Sequence, residues 1–291
     1  MSGAREIASG RPPRGAAISG SRFDRVWVNR AVFGFMLAAV AAAATIAGSF
    51  PFAILVGAVC VAALREWHRI VEQGGFAREL LLDSIFLVSA LMLMSWRPGS
   101  FVPWAVLAVA AGLVFVGAFA RGARPFWHAS GVLYIGVPAL LLTYLRASVP
   151  HAPWVIMGLF LVVWATDTGA LMCGKLIGGP KLFATLSPNK TWAGAVGGVA
   201  LACIVMGAYI ASIRGSVLAA MSLALVLSVC AHAGDLLESW VKRRFHLKDS
   251  GGLIPGHGGV LDRIDSMLAA SAAMAALVVI GGVDATFGAR V

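Results

Sequence analysis

Charged residues are scarce in this chain: they make up 12% of its 291 residues, whereas 59% are hydrophobic. Soluble domains contain about 25% charged and roughly 45–50% apolar residues. A soluble core of this size cannot hide so large an apolar excess. The composition therefore excludes a soluble globular enzyme, a disordered chain and a nucleic-acid-binding domain, although the net charge is +10.

Cysteine is also rare, with four residues that all lie in apolar stretches: Cys60, Cys173, Cys203 and Cys230. No two of them have the spacing of a zinc-binding pair or of a redox Cys-x-x-Cys motif. We interpret them as small buried apolar residues, which indicate neither a metal centre nor an oxidising compartment.

Long apolar runs are abundant, and a helix needs roughly 20 mostly apolar residues to span a bilayer. The first run, residues 31–64, carries no charge and would form about 51 Å of helix, against a bilayer core of about 30 Å. It is either one long tilted helix or a hairpin broken near residues 48–51, where Pro51 disfavours a continuous helix. The other predicted spans are 80–96, 101–120, 126–145, 153–174, 192–213, 216–240 and 264–283.

The basic residues decide between these two interpretations, because cytoplasmic loops of membrane proteins are enriched in Lys and Arg. If residues 31–64 form two spans, 19 basic residues lie on one side of the membrane and 4 on the other. If they form one span, the division is 10 against 13. We therefore predict an all-α polytopic membrane protein with about nine transmembrane helices, a cytoplasmic N-terminus and a C-terminus outside.

This topology predicts three regions. Residues 1–30 hold six Arg with Gly, Ser and Pro, and we interpret them as a disordered basic cytoplasmic tail. Residues 31–150 form the N-terminal and middle transmembrane helices, and residues 151–291 form a C-terminal catalytic transmembrane region. The positive charge forms a cytoplasmic rim that would also attract the anionic headgroups of the lipid bilayer.

Most of the thirteen acidic residues need no special explanation. Solvated surface charge accounts for six of them, and Asp83 lies at the edge of its span. Asp167 differs, because it lies about 10 Å inside its span, where an ionisable group usually faces a cavity or a partner. The six surface assignments are Glu6, Asp24, Glu66, Glu72, Glu79 and Asp284.

Five acidic residues crowd into positions 235–265, interleaved with five basic ones. On a helix, Asp235, Glu238, Ser239 and Lys242 share one face. Carboxylates bind Mg²⁺ through oxygen, and Lys and Arg neutralise phosphate. Helix capping is the alternative for Asp262 and Asp265, and it explains one carboxylate better than both. The cluster therefore predicts a metal-phosphate site.

Two polar loops lie on the same predicted side. The glycine-rich loop 251–259 lets backbone amides approach an anion, and its His257 is either a phosphate ligand or an ordinary surface histidine. The segment 175–191 supplies three cations and three hydroxyls, and is either a polyanion-binding loop or a plain basic linker. Gly194 and Gly198, four residues apart, predict close helix packing in the membrane.

A family resemblance enters with residues 239–265, which carry Ser239, the pair Lys242–Arg243, Lys248, the glycine-rich loop, Asp262, Arg263 and Asp265. This pattern resembles the signature of the phosphatidate cytidylyltransferases, or CDP-diacylglycerol synthases. Asp167, Ser187, Lys190 and Thr191 are similar to a second block of that family, although Ala193 stands where the family often carries Glu.

The resemblance implies a polytopic enzyme that transfers CMP from CTP to phosphatidic acid, giving CDP-diacylglycerol and pyrophosphate. It implies Mg²⁺, with a monovalent cation such as K⁺ as a second ion. It further implies a homodimer in the bacterial inner (cytoplasmic) membrane, with the active site facing the cytoplasm and no nucleic acid as partner.

We combine the resemblance with the residue pattern in one hypothesis for the site. Asp235, Asp262 and Asp265 hold Mg²⁺, with Glu238 and Asp167 in support, and Lys242 and Arg243 complete the catalytic set. The predicted substrate-binding residues are Ser187, Lys190, Thr191, Ser239, Lys248, His257, Gly258, Gly259 and Arg263.

Two other functions stay open at this point. A CTP-dependent kinase of a lipid alcohol would share the membrane architecture and the nucleotide, but would release CDP instead of pyrophosphate. An ion-coupled transporter would use the intramembrane Asp167 and broken spans. Its carboxylates would lie near the middle of the membrane, whereas five of the six residues here lie at one interface.

Overall fold

A computed structural model describes residues 20–72, 79–149, 151–253 and 258–287. These residues form nine helices and one two-stranded hairpin. The helices are α1 (Gly20–Ala47), α2 (Ser49–Glu72), α3 (Glu79–Trp96), α4 (Val102–Ala120), α5 (Pro125–Ser148), α6 (Ala152–Leu176), α7 (Trp192–Ser212), α8 (Val217–Arg244) and α9 (Leu261–Phe287); the strands are β1 (Lys181–Phe183) and β2 (Ser187–Thr191).

The prediction of an all-α membrane protein is confirmed. Within the described residues, seven helices are long and apolar enough to cross a membrane, and the two others, α1 and α3, contain shorter apolar stretches, Gly34–Ala47 and Leu80–Trp96. Each predicted span from residue 80 onward coincides with one helix to within a few residues. Which side of the membrane the termini occupy stays a prediction.

The long first run is broken into two helices, as the distribution of basic residues predicts. Helix α1 ends at Ala47 and α2 begins at Ser49. Gly48 between them has φ +135°, a backbone angle that favours glycine. Pro51 lies in the first turn of α2, where its missing N–H leaves no hydrogen bond unmade.

The structure describes only the last part of the predicted tail. Helix α1 begins at Gly20, so residues 20–30 are helical. Residues 1–19 lie outside the described part of the chain.

Cα packing divides the chain into two units, residues 1–39 and 40–291. In the described part of the first unit the chain is helical throughout. The second unit has two apolar cores, one built mainly by helices α2 to α5 and one by helices α5 to α9. Helix α5 contributes to both cores and packs against α2, α4 and α9, so it connects the two groups of helices.

Asp83, which the sequence places at the edge of its span, is not exposed there. It is fully buried, and its Oδ2 lies 2.5 Å from Nε2 of His68. Nδ1 of His68 lies 2.7 Å from Nδ1 of His128, whose Nε2 lies 3.1 Å from Oε1 of Glu72. Glu72 is half-buried and also pairs with the exposed guanidinium of Arg121 at 3.0 Å.

Candidate active site

A cavity of about 420 Å³ opens where one end of each helix from α6 to α9 meets the hairpin. This volume lies within the range of about 300–1,000 Å³ that is usual for small-molecule sites. The predicted site segments, which are far apart in sequence, therefore do meet at one end of the bundle. The polar and small residues that line the cavity include Asp167, Gly174, Asn189, Lys190, Thr191, Gly194, His232, Asp235, Asp262, Arg263, Asp265 and Ser266.

Three carboxylates converge on this cavity from three different helices: Asp167 from α6, Asp235 from α8 and Asp265 from α9. They lie close enough to repel one another electrostatically. Asp265 is buried, with 6% of its surface exposed, and its Oδ1 accepts a hydrogen bond of 2.7 Å from the backbone N–H of Ser266. Such a set of like charges favours the binding of a cation or of cationic side chains.

Close packing of helices α8 and α9 brings Asp235 beside Asp265. A Cβ on Gly234 would lie 2.6 Å from the backbone oxygen of Asp265 and 2.7 Å from Cβ of Ala269. No side chain fits in this space. The missing side chain at position 234 is therefore what allows the two carboxylates to share a cavity.

The hairpin brings Lys190 to the carboxylates. Strands β1 and β2 are antiparallel, with Lys181 opposite Thr191. Nζ of Lys190 lies 2.5 Å from Oδ2 of Asp235, and both side chains are partly buried. Thr191 ends the hairpin and caps helix α7, because its Oγ1 accepts a hydrogen bond of 3.1 Å from the N–H of Gly194. The predicted polyanion-binding loop is thus an ordered element beside the acids.

Asp262, Lys242 and Glu238 form a second cluster at the start of α9. Nζ of Lys242 lies 2.5 Å from Oε2 of Glu238 and 2.6 Å from Oδ1 of Asp262. Oδ2 of Asp262 accepts hydrogen bonds from the backbone N–H groups of Gly259, at 3.0 Å, and Ser250, at 3.2 Å. Asp262 therefore joins the glycine-rich loop to helix α8, while it also borders the cavity.

The cavity does not receive every residue of the predicted site. Asp167, Lys190, Thr191, Asp235, Asp262, Arg263 and Asp265 line it, and Ser239 approaches Asp235 with an Oγ–Oδ1 distance of 3.5 Å. His257 lies outside the described residues. The predicted residues that are not part of the lining are Ser187, Glu238, Ser239, Lys242, Arg243, Lys248, Gly258 and Gly259.

Two of these residues have contacts of a different kind from those predicted. The guanidinium of Arg243 donates to the backbone oxygens of Leu186, at 3.4 Å, and Leu247, at 3.0 Å, which ties the hairpin to the end of α8. The backbone N–H of Gly259 donates a hydrogen bond to the carboxylate of Asp262 and not to a free anion. Both hold the rim of the site together.

His232 lines the cavity and was missed from sequence. It precedes Asp235 by three residues on α8, so helical spacing alone places it on the same face. Its Nε2 lies 3.3 Å from the backbone oxygen of Ala195 on α7. A search of that helix face for titratable groups would have found it.

The donors in the cavity fit a hard divalent cation by type, because Mg²⁺ prefers carboxylate oxygen. Four carboxylates line this space, and the one lysine among its described lining residues, Lys190, is already paired with Asp235. Within the described ranges, however, no group of three His, Cys, Asp or Glu side chains is arranged closely enough to hold a metal ion. Ligation would require Asp235 to exchange the ammonium of Lys190 for the metal.

Comparisons with known proteins identify the family of this chain. A family model described as the cytidylyltransferase family matches residues 28–280. The chain is 38% identical over 247 residues to a phosphatidate cytidylyltransferase of Brucella suis biovar 1 (strain 1330), and the match covers 84% of this chain and 90% of that protein. It is 42% identical over 139 residues to a phosphatidate cytidylyltransferase of Staphylococcus aureus (strain COL), covering 47% of this chain and 52% of that one.

Proposed function

Because this chain belongs to the cytidylyltransferase family, we propose that it transfers CMP from CTP to phosphatidic acid in the membrane. The products are CDP-diacylglycerol and pyrophosphate. The observation that carries the proposal is the cavity in which Asp167, Asp235 and Asp265 face Lys190 and Arg263 at one end of a bundle of membrane-spanning helices. A charged cavity at the end of a membrane-spanning bundle suits a reaction between a lipid and a nucleoside triphosphate.

The chemistry is an exchange at the α-phosphorus of CTP. An oxygen of the lipid phosphate forms a new bond to that phosphorus, and the bond to the oxygen that bridges the α- and β-phosphates breaks. The electron pair leaves with pyrophosphate. The lipid phosphate is already an anion, so the reaction needs no strong general base; the difficulty is to bring two polyanions together.

The side chains of the cavity supply this charge neutralisation. Lys190 and Arg263 bind phosphate oxygens, since ammonium and guanidinium groups form charge-assisted hydrogen bonds with them. Asp167, Asp235 and Asp265 would hold Mg²⁺, which would supply positive charge to neutralise the phosphates. Thr191 and Asn189 lie beside Lys190 on the same wall and can donate to the nucleotide or to the lipid phosphate.

The cluster of Lys242, Glu238 and Asp262 keeps the start of α9 in place during the reaction. Nζ of Lys242 lies within 2.6 Å of an oxygen of each carboxyl group, and Glu238 is 1% exposed. Lys242 neutralises two carboxylates that would otherwise repel each other. In this proposal Asp262 acts chiefly by orienting the first turn of α9, which also carries Asp265.

In this proposal the protein lies in a bacterial inner membrane, and its site faces the cytoplasm, which contains CTP. The excess of basic residues on the loops at this end of the bundle supports that side. The monovalent cation implied by the family resemblance stays a prediction. It is tested by replacing K⁺ with a large organic cation in the assay.

Asp265→Asn tests the proposal directly. The purified protein in detergent receives labelled CTP, phosphatidic acid and Mg²⁺, and both pyrophosphate and labelled lipid are measured. We expect a loss of product formation of about a hundred- to a thousandfold, which is the usual loss when one electrostatic group is removed from an active site.

The matched control is Asp249→Asn, which removes one carboxylate from an exposed position of the neighbouring loop. We expect it to keep activity within a few-fold of the unaltered chain. Full activity of Asp265→Asn would remove Asp265 from the mechanism. Release of CDP in place of pyrophosphate would identify a lipid kinase instead.

A further inference from the structure

Glu66 on helix α2 lies far from the cavity residues in sequence, and the surface role predicted for it is wrong. Its side chain is buried, with 2% of the residue exposed. We propose that Glu66 is a positioning residue that holds the start of helix α9, and through it Asp262 and Asp265, in the geometry that catalysis requires. The inference rests on the proposed function for the role of these two carboxylates.

The carboxylate of Glu66 accepts three hydrogen bonds from the segments around the glycine-rich loop. Oε2 accepts from Oγ of Ser250 at 2.9 Å and from the N–H of Leu261 at 2.8 Å. Oε1 accepts from the N–H of Val260 at 3.0 Å. Both oxygens of the carboxylate are therefore occupied by donors from a part of the chain that follows Glu66 by at least 184 residues.

Two of these donors belong to the N-terminus of helix α9, which begins at Leu261. The first amides of a helix have no partner within the helix and are usually satisfied by the side chain of the residue just before it. Here that residue is Val260, which has no acceptor in its side chain. Glu66 supplies the missing cap from another helix, and its negative charge also matches the positive end of the helix dipole.

Two glycines of the loop make room for this carboxylate. A Cβ on Gly251 would lie 2.6 Å from Oε1 of Glu66, and a Cβ on Gly259 would lie 2.4 Å from Oε2. Neither position tolerates a side chain while Glu66 is in place. The contact thus explains glycines that the sequence pattern alone assigns to anion binding.

The same loop segments also hold the catalytic end of α9. The N–H groups of Ser250 and Gly259 donate to Asp262, while Ser250 Oγ and the N–H of Val260 donate to Glu66. The two carboxylates therefore accept hydrogen bonds from neighbouring donors of the same loop. If the hydrogen bonds of Glu66 are lost, the first turn of α9 loses its cap, and Asp262 and Asp265 lose their fixed position.

Glu66→Gln tests the inference, because it keeps the shape of the side chain but removes its charge and one acceptor. Hydrogen–deuterium exchange of the purified protein without substrates reports on the amides of residues 258–268. We expect faster exchange there and unchanged exchange elsewhere. In the CMP-transfer assay we expect kcat to fall at least tenfold and the half-saturating Mg²⁺ concentration to rise at least threefold, as for partners that orient metal ligands.

The control is Glu72→Gln on the same helix, which also removes a carboxylate charge but lies away from the loop and contacts Arg121 and His128. We expect it to leave exchange at residues 258–268 unchanged and kcat within about twofold. A merely structural role of Glu66 would lower thermal stability without moving the Mg²⁺ dependence.

Unchanged exchange at residues 258–268 in Glu66→Gln would overturn the capping contact, and faster exchange with unaltered kcat and Mg²⁺ dependence would overturn the positioning role. If Glu66→Gln does not fold, Ser250→Ala removes one donor to Glu66 and should shift the same two quantities less; unaltered values would then count against the inference. An inactive unaltered chain would refute the proposed function, whereas the exchange data would still decide whether Glu66 caps α9.

Discussion

The carboxylates of this chain differ chiefly in what surrounds them. Asp167, Asp235 and Asp265 face a shared cavity, where only side chains of opposite charge or a bound cation can offset their repulsion. Glu66 and Asp83 are buried and have their partners within the protein. Spacing along the sequence identified the first group, whereas the second could not be found, because its partners lie on other helices.

Lys190→Ala tests whether the lysine of the β1–β2 hairpin binds a substrate. The substitution frees Asp235 from its 2.5 Å ion pair and removes a cation from the cavity. We expect the apparent KM for CTP or for phosphatidic acid to rise about tenfold or more, since a charged hydrogen bond is worth roughly 1.5–3 kcal/mol. Steady-state kinetics, with each substrate varied in turn, measure the two KM values.

Lys181→Ala is the control for Lys190→Ala. Lys181 lies on the same hairpin, opposite Thr191, but is exposed and is not part of the cavity lining. Its removal should leave both KM values within about twofold. Equal KM values in Lys190→Ala and in the unaltered chain would exclude Lys190 from substrate binding.

The two buried histidines connect helices α2, α3 and α5. Nε2 of His68 lies 2.5 Å from Oδ2 of Asp83, and Nδ1 of His68 lies 2.7 Å from Nδ1 of His128. Removal of Asp83 or of His68 leaves the other residue buried without this partner.

Asp83→Ala and His68→Ala should therefore each lower the free energy of unfolding by about 3–5 kcal/mol, the usual cost of breaking a buried pair. The double substitution should cost less than the sum, because the two residues share one interaction. Unfolding of the detergent-solubilised protein, followed by circular dichroism, measures all three. Additive costs would show that the two residues do not interact.

Among the secondary-structure elements, helices α6 and α7 pack most closely, and glycine is the reason. A Cβ on Gly198 would lie 2.7 Å from the backbone oxygen of Thr166, and a Cβ on Gly194 would lie 2.8 Å from that of Ala170. The predicted packing role of Gly194 and Gly198 is confirmed. This approach places Asp167 of α6 opposite the hairpin that precedes α7.

Gly198→Ala should destabilise the protein by about 1–3 kcal/mol, the usual cost of overpacking, and lower activity by moving α6 away from α7. Gly112→Ala on α4 is the matched control, since no atom lies within 4 Å of its Cβ position. It should be neutral or stabilise by up to about 1 kcal/mol. Thermal unfolding in detergent compares the two, and equal midpoints would refute the packing argument.

The membrane topology belongs to the whole molecule. The basic loops predict that the hairpin between α6 and α7 faces the cytoplasm and that the turn between α3 and α4 faces outside. In a chain without its native cysteines, Ala184→Cys should react with a membrane-impermeant maleimide only after the cells are permeabilised. Gly99→Cys should react in intact cells, and the reverse pattern would invert the topology.

The homodimer implied by the family resemblance stays a prediction for the whole molecule as well. Light scattering of the protein after size exclusion, corrected for bound detergent, should give about twice the mass of 30.2 kDa. A monomer that is active in the CMP-transfer assay would show that one chain holds the complete site.

Apolar runs, prolines and the distribution of basic residues were enough to predict the helices, the break at Gly48 and the membrane character, because these depend on local composition and on the bilayer. The signature residues were enough to predict the family. Sequence did not reveal the β1–β2 hairpin, the cap of α9 by Glu66 or the contact between His68 and His128. Each of them joins segments that only helix packing brings together, and a contact between distant residues leaves no periodic pattern in the chain.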